Sequence, residues 1–201
     1  MRNLNLIKFK EGEIMKKFIE KKHKENEIYS GKAISFRVDK VVLPNKKIAT
    51  REFMDHPGAV AVLPVDEDGN IIFVTQYRYP IKELTYEIPA GKLNHKKDDF
   101  LKRAVAELKE ETGYTAKKMI HMIDFWPTPA FSNEILKIYL ALGLKNGESN
   151  PDEDEFLNVV KINEKKALDM VKKGKIKDSK TIIALLYYFL LIKGEKNEHI
   201  R

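Results

Sequence analysis

The chain has 201 residues, which is long enough for a hydrophobic core and favours one domain with a modest addition. Hydrophobic residues make up 43% of it and charged residues 33%, as in ordinary soluble globular proteins. Cysteine is absent, which excludes disulfides, thiolate zinc sites and cysteine nucleophiles. This absence also fits a reducing interior, and we therefore expect a cytoplasmic protein.

The formal net charge is +7, but the lysines are spread along the chain rather than gathered in a block. That distribution is explained as well by attraction of anionic small molecules as by nucleic-acid binding. The longest apolar run, residues 182–192, is too short to cross a bilayer, and the N-terminus lacks the apolar core of a secretory signal. We therefore expect no membrane partner, and we expect no nucleic-acid partner because the lysines are not grouped with aromatic residues that could stack on bases.

The N-terminal quarter opens with a lysine-rich leader and then alternates apolar and polar residues. This pattern predicts strands at 33–38 and 40–43, a turn at 44–47 and a third strand at 49–53. These strands would form a small antiparallel sheet. We expect residues 1–55 to be an N-terminal arm with this sheet, and residues 56–201 to be the main domain.

The rest of the chain combines strands with two or three helices. The nearly all-apolar run at 59–65 is typical of a buried central strand, and 66–70 is a strong turn signal. The other elements predicted are strands at 71–76, 83–88, 119–125, 135–142 and 159–162 and helices at 164–173 and 179–193. Because strands and helices do not alternate strictly, the pattern favours a mixed sheet between helices.

Residues 99–112 are predicted to form a helix that ends at Gly113, because glycine readily adopts the left-handed conformation that closes helices. Asp98 or Asp99 is the candidate N-cap, accepting the free amide hydrogens of the first turn. Helical periodicity places three apolar residues on one side: Leu101, Val105 and Leu108.

Three glutamates share another arc of this helix: Glu107, Glu110 and Glu111. Like charges this close repel and weaken a helix unless a counter-ion binds them. A hard divalent cation is such a counter-ion, because it prefers oxygen ligands. The preceding Pro89-Ala90-Gly91 segment can bring a backbone carbonyl near the same ion, since glycine permits close approach. A solvated acidic helix face is the alternative interpretation.

Segment 91–114 resembles the Nudix box, the signature of the Nudix hydrolases, written G-x5-E-x7-R-E-U-x-E-E-x-G-U with U aliphatic or aromatic. Its second half, E-L-K-E-E-T-G-Y, is intact. In the first half, Ala106 replaces the arginine, Asp98 replaces the glutamate, and one extra residue follows Gly91. The resemblance implies that the arginine and glutamate brace the loop against the helix, so the bracing here must be weaker or different.

Flanking motifs are similar to those of the ADP-ribose pyrophosphatase branch of this family. They are R-E-F (51–53), H-P-G-A-V (56–60), Q-Y-R-Y-P (76–80), E-I-P-A-G-K (87–92) and P-T-P-A-F-S-N-E (127–134). The resemblance implies an α/β fold, a Nudix-type α/β/α sandwich with a mixed sheet plus the small N-terminal antiparallel sheet. It also implies hydrolysis of ADP-ribose to AMP and ribose 5-phosphate with Mg²⁺, or alternatively Mn²⁺, as cofactor.

The resemblance also implies roles for individual acidic residues. The metal ligands would be the Ala90 carbonyl and the carboxylates of Glu107, Glu110 and Glu111. The base that deprotonates water would come from the acidic loop at 151–156, with Glu155 as first choice and Glu153 as second. Glu111 is a third candidate for activating water. A surface loop without catalytic importance is the alternative interpretation of 151–156.

Substrate contacts are expected outside the box. Arg51 and Arg78 can each grip a phosphate through two parallel N–H bonds, and a surface ion pair is the alternative for both. Pro129 and Glu134 belong to the loop motif that the branch uses at its substrate site. Tyr29 can stack on adenine, although an aromatic residue at a strand end is more often part of a core.

Members of the branch are typically homodimers, so the resemblance implies that the N-terminal sheet serves dimerisation. Three other functions remain open. The substrate could be another nucleotide sugar such as GDP-mannose, or the 5′ end of an RNA. The chain could also be a Nudix-fold sensor that binds ADP-ribose without cleaving it.

Overall fold

The computed structural model describes residues 17–32, 34–150 and 156–194, and these form two compact units. Residues 17–56 and 130–133 make up the first unit. Residues 57–129, 134–150 and 156–194 make up the second.

The first unit is a four-stranded antiparallel sheet built around one long strand. Its strands are β1 (Lys21–Lys24), β2 (Glu27–Ser30), β3 (Ser35–Val42) and β4 (Ile48–Asp55). Strand β3 pairs with all three others, and its pairing with β4 runs its whole length. The two strands predicted at 33–38 and 40–43 are therefore one strand from Ser35, while Ala33 lies outside the described residues. The prediction missed β1 and β2 because lysine and glutamate dominate this stretch.

This sheet buries few apolar side chains. Among residues 17–32 and 34–56, Asp39 is the one buried side chain, and it accepts hydrogen bonds from the Asn26 amide (2.9 Å) and the Arg37 guanidinium (3.2 Å). The exposed large apolar side chains are Phe18, Ile19, Ile28, Tyr29, Ile34 and Ile48. The sheet thus leaves apolar surface open to solvent in the single chain.

The second unit contains two sheets. Its strands are β5 (Ala59–Pro64), β6 (Asn70–Arg78), β7 (Glu83–Glu87), β8 (Ala90–Lys92), β9 (Thr115–Phe125), β10 (Leu136–Lys145) and β11 (Asn158–Asn163). One sheet has the order β8-β5-β10-β9 and the other β11-β6-β7. In the first, β5 and β10 run parallel and the outer pairs run antiparallel, so this sheet is mixed.

Helices cover both faces of the mixed sheet. They are α1 (Phe100–Thr112), α2 (Glu164–Lys172) and α3 (Ser179–Tyr187), the last continuing as a wider π-helical segment at Tyr188–Lys193. In β5, Val60 and Val62 pack with Leu108 of α1, while the alternate residues Ala61 and Leu63 pack with Leu185 of α3. Because β5 is buried on both faces, it reads as a continuous apolar run. The predicted α/β/α sandwich with a mixed sheet is confirmed.

The apolar side of α1 expected from periodicity is not its buried side. Leu101 and Val105 are 44% and 47% exposed, whereas Glu107 and Glu111 are each 4% exposed. Leu108 alone of the predicted apolar side is buried. Periodicity failed here because hydrogen bonds and an ion pair, rather than apolar contacts, hold part of the helix's inward face.

In the part of the chain that the structure describes, no helix is long and apolar enough to span a membrane.

Candidate active site

The candidate site is the junction between strand β8 and helix α1, both in the second unit. The ends of α1 are set locally: the Asp99 side chain accepts from the Leu101 amide (2.9 Å) and the Lys102 amide (3.1 Å), and Gly113 closes the helix with φ 75°. Asp99 is therefore the N-cap of the two candidates. The local sequence therefore fixes where α1 begins and ends.

Three successive residues of β8 each meet one residue of α1. The Ala90 amide donates to Glu111 Oε2 over 3.1 Å. The Lys92 carbonyl accepts from Arg103 Nε over 3.2 Å. Between them, Gly91 packs against the Glu107 carboxylate. Positions 103, 107 and 111 are one helical turn apart, so a single face of α1 runs along the strand.

Gly91 is required at this junction by space. A Cβ built at Gly91 would lie 1.5 Å from Glu107 Oε1 and 2.1 Å from its carboxyl carbon. No side chain fits there unless the strand or the glutamate moves. The absence of a side chain at Gly91 is therefore what lets the buried Glu107 carboxylate reach the strand backbone.

Arg103 is the cation of the junction. Its guanidinium forms a close ion pair with Glu107 Oε1 and donates from Nη1 to Glu110 Oε2 over 3.2 Å. With the bond to the Lys92 carbonyl, Arg103 links loop and helix from one turn before Ala106. Asp98 instead holds the turn before the helix, accepting from the Asn94 amide (2.9 Å) and the His95 amide (2.8 Å). The bracing is thus different from the family pattern, as expected from Ala106.

The donor atoms of the junction fit a hard divalent cation in their chemistry. Glu107, Glu110 and Glu111 present carboxylates beside a strand backbone, and oxygen donors are what Mg²⁺ prefers. Their present directions are set by the protein: Glu107 and Glu110 face Arg103, and Glu111 accepts from Ala90. Among the described residues, no three acidic or histidine side chains converge closely enough to hold one ion.

A second charged group lies at the end of the β6–β7 hairpin. Glu87 is 2% exposed and binds Arg78 through two bonds, Nε to Oε1 at 2.8 Å and Nη2 to Oε2 at 2.7 Å. Lys180 of α3 forms a close ion pair with the same carboxylate, and the Thr85 hydroxyl donates to Oε1 over 2.6 Å. Arg78 is therefore held on a buried carboxylate, with its own side chain 44% exposed.

The charges around Glu87 decide its protonation. Burial alone raises the pKa of a carboxyl, but the Arg78 hydrogen bonds, the Lys180 charge and the Thr85 hydroxyl outweigh it and lower the pKa of Glu87 to about 2. The hydrogen bonds to Glu87 raise the pKa of Arg78, burial lowers it, and the charges of Glu87, Asp178 and Glu111 raise it further. The group therefore stays fully charged near neutral pH.

The segment that precedes the acidic loop contacts the C-terminal end of α1. The Asn150 amide donates to the Glu110 carbonyl over 2.9 Å. Gly113 and Gly147 approach closely, since a Cβ on Gly113 would lie 2.6 Å from the Gly147 carbonyl oxygen. These contacts hold the chain, up to one residue before position 151, against the helix that carries the candidate metal ligands. Glu153 and Glu155, the preferred candidates for the base, lie outside the described residues.

The other residues proposed to contact substrate are divided between the two units. Arg51 lies in the first unit and binds Glu20, with Nε to Oε2 at 2.9 Å. Tyr29 is 58% exposed in β2 of the same unit. Pro129 is exposed and Glu134 partly buried in the second unit. Their roles in substrate binding stay predictions.

Two residues important to the site were not assigned a role from the sequence, Arg103 and Lys180. Arg103 stands one turn before Glu107, and a search for cations on the glutamate face of the helix would have found it. No pattern in the neighbouring sequence predicts the role of Lys180, because its partner Glu87 is 93 positions away.

The fold and the β8–α1 junction define a Nudix protein, and the chain belongs to the NUDIX domain family, whose model matches residues 54–185. The chain is 43% identical to ADP-ribose pyrophosphatase of Bacillus subtilis over 86% of this chain and 94% of that protein. It is 42% identical to methanol dehydrogenase activator of Bacillus methanolicus, again over 86% and 94%. The resemblance drawn from the box is thereby confirmed.

A solved structure described as an ADP compounds hydrolase shares the fold. It superimposes with a TM-score of 0.71 over 86% of this chain and 96% of that one. The sequence identity is 18%, so this likeness concerns the fold alone.

Proposed function

We propose that the chain is a hydrolase that cleaves the diphosphate bond of ADP-ribose, releasing AMP and ribose 5-phosphate. The observation that carries the proposal is the β8–α1 junction, where Glu107 and Glu111 meet the strand backbone at Gly91 and Ala90, and Arg103 links Glu110 to the same junction. The high identity to a pyrophosphatase named for ADP-ribose supports the choice of substrate. GDP-mannose or another nucleotide sugar is the alternative.

The metal would be held by Glu107, Glu110, Glu111 and the Ala90 carbonyl, with Mg²⁺ as the expected ion and Mn²⁺ as an alternative. When bound, such an ion neutralises the anionic diphosphate and lowers the pKa of a bound water. The chain's own contribution is to present these carboxylates on one rigid helix beside the strand. Glu111 already accepts from the Ala90 amide, which orients it toward the strand.

The base would be Glu155, with Glu153 second and Glu111 third. The Asn150 amide bond to the Glu110 carbonyl supports this assignment, since it joins the start of the acidic segment to the helix that carries the metal candidates. A glutamate in this position would orient a water and take its proton.

Arg78 would bind a phosphate of the substrate. Its bidentate bond to Glu87 fixes its side chain while leaving almost half of it accessible. Arg51, Tyr29, Pro129 and Glu134 are the other proposed contacts. For Arg51, substrate binding has to compete with the ion pair to Glu20.

We also propose a cytoplasmic homodimer formed through the N-terminal sheet. The sheet's exposed apolar side chains, including Ile28 and Ile48 at 59% and 57% exposure, support a protein partner on that surface.

The test is product formation from ADP-ribose by the whole protein, with GDP-mannose in parallel and with Mg²⁺ or EDTA. We expect AMP release that requires the metal and is fastest from ADP-ribose. Glu111→Gln and Glu155→Gln should each lower kcat at least about 100-fold. Glu148→Gln, a control in the exposed segment before the acidic loop, should be nearly unaffected. Binding of ADP-ribose without turnover would refute the proposed hydrolase activity and favour a sensor that binds ADP-ribose without cleaving it.

A further inference from the structure

One side chain already occupies the carboxylates that a metal would need. The Arg103 guanidinium contacts Glu107 Oε1 and Glu110 Oε2 and also bonds the Lys92 carbonyl. Its side chain is 29% exposed, and that of Glu107 is 5% exposed. A cation thus bridges two glutamates of the helix and the backbone of the strand at the same time.

The physical need for this cation follows from the helix. Three glutamates within one and a half turns repel one another, and burial of Glu107 and Glu111 strengthens that repulsion. Arginine is suited to relieve it, because its planar fork donates to several acceptors together and its charge persists at every working pH. Neighbouring Lys102 and Lys109 are exposed on α1 and do not replace these contacts.

We propose that Arg103 is a positioning residue that acts as a built-in counter-cation and so sets the affinity for the divalent ion. In the metal-free protein, Arg103 holds Glu107, Glu110 and the Lys92 carbonyl together. An incoming divalent cation competes with Arg103 for the two carboxylates, and part of its binding energy is spent on displacing the guanidinium. The inference deepens the proposed function, because it rests on the divalent site proposed there.

A merely structural arginine would behave differently. Loss of a structural contact lowers stability equally with and without metal and leaves metal affinity unchanged. Loss of a competing counter-cation lowers stability without metal but tightens metal binding. The added metal then stabilises the variant more than the original protein, by mass action.

The experiment measures Mn²⁺ binding to the whole protein, without substrate, from the electron paramagnetic resonance signal of free Mn²⁺. We expect Arg103→Gln to bind Mn²⁺ on the order of tenfold more tightly than the original protein. Without metal, its Tm should fall by roughly 4 °C, and saturating Mn²⁺ should narrow this difference. Lys102→Gln removes an equal charge from the adjacent exposed position and should change the affinity by less than about twofold.

Arg103→Lys provides a second test if the glutamine variant does not fold. It keeps the charge but lacks the planar fork, so its affinity should lie between those of the original protein and Arg103→Gln. Equal or weaker Mn²⁺ binding in the Arg103 variants overturns the inference and leaves the proposed enzyme standing. Absence of Mn²⁺ binding in every protein overturns both the inference and the proposed metal site.

Discussion

At the scale of single residues, the site depends on how closely side chains and backbone approach. Gly91 has no side chain where a Cβ would overlap the Glu107 carboxylate, and Glu87 is a buried carboxylate with two cationic partners. Substitution of either residue should therefore change the stability of the protein measurably.

Gly91→Ala should damage both activity and stability. Its new Cβ would lie 1.5 Å from Glu107 Oε1, so either the strand or the glutamate has to move. We expect kcat/KM for ADP-ribose to fall at least about tenfold and the free energy of unfolding to fall by roughly 2 kcal/mol, measured in urea. Gly194→Ala is the control, since its nearest atom is 3.7 Å away. A fully active, fully stable Gly91→Ala protein would contradict the described junction.

Glu87 should make the protein sensitive to acid. Its pKa is about 2 in the folded chain, against an ordinary value of 4.5. The stabilisation that ionised Glu87 gives the folded chain is therefore present above about pH 4.5 and is lost as pH falls toward 2. This difference in pKa corresponds to roughly 3 kcal/mol in the free energy of unfolding. Glu87→Gln should therefore be less stable than the original protein at pH 7, with the gap shrinking toward pH 2.5. Urea unfolding at several pH values measures this; a gap independent of pH would rule the explanation out.

At the scale of elements, helix α1 shows that periodicity and burial can disagree. Its exposed Leu101 and Val105 and its buried Glu107 and Glu111 depart from the usual amphipathic pattern. Part of the inward face is polar because β8 and Arg103 supply hydrogen-bond and ion-pair partners for the carboxylates, while Leu108 packs in the apolar core beside them. The start of the helix, by contrast, follows the local rule for an N-cap.

Asp99→Ala should destabilise the protein through helix α1. The substitution removes the acceptor for the Leu101 and Lys102 amides, which costs about 1 kcal/mol in typical helices. For a chain of this size, we expect the Tm to fall by roughly 3 °C in calorimetry. Asp99→Asn keeps an acceptor and should remain close to the original Tm. Equal losses in both variants would point to the charge rather than the cap.

At the scale of the whole molecule, the chain exposes apolar surface on its N-terminal sheet. Asp39 is the one buried side chain among the described residues up to His56, whereas several large apolar side chains of this sheet face solvent. Exposed apolar surface of this kind is typical of an interaction site.

Light scattering should show a dimer of the 23.3 kDa chain at micromolar concentration. The double variant Ile28→Asp with Ile48→Asp places charges on the apolar surface and should shift the mass toward that of one chain. Lys46→Asp, in the exposed turn before β4, is the control and should remain dimeric. A single-chain mass for the original protein would refute the dimer.

The amino-acid order by itself determined the elements whose causes are local. The apolar run that forms β5, the helix with its E-L-K-E-E sequence and the closing Gly113 were all predicted, because strand burial, helical spacing and glycine's left-handed conformation act within a few residues. The family and its sandwich fold followed from the same motifs.

Only the tertiary structure decided which partners the charged residues have. Arg103 faces Glu107 and the Lys92 carbonyl because β8 lies along α1, and Lys180 reaches Glu87 across 93 positions of sequence. Such contacts depend on how distant elements pack, which local propensity does not specify. For the same reason, spacing alone placed the glutamates on one face of the helix but did not reveal that Glu107 and Glu111 are buried there.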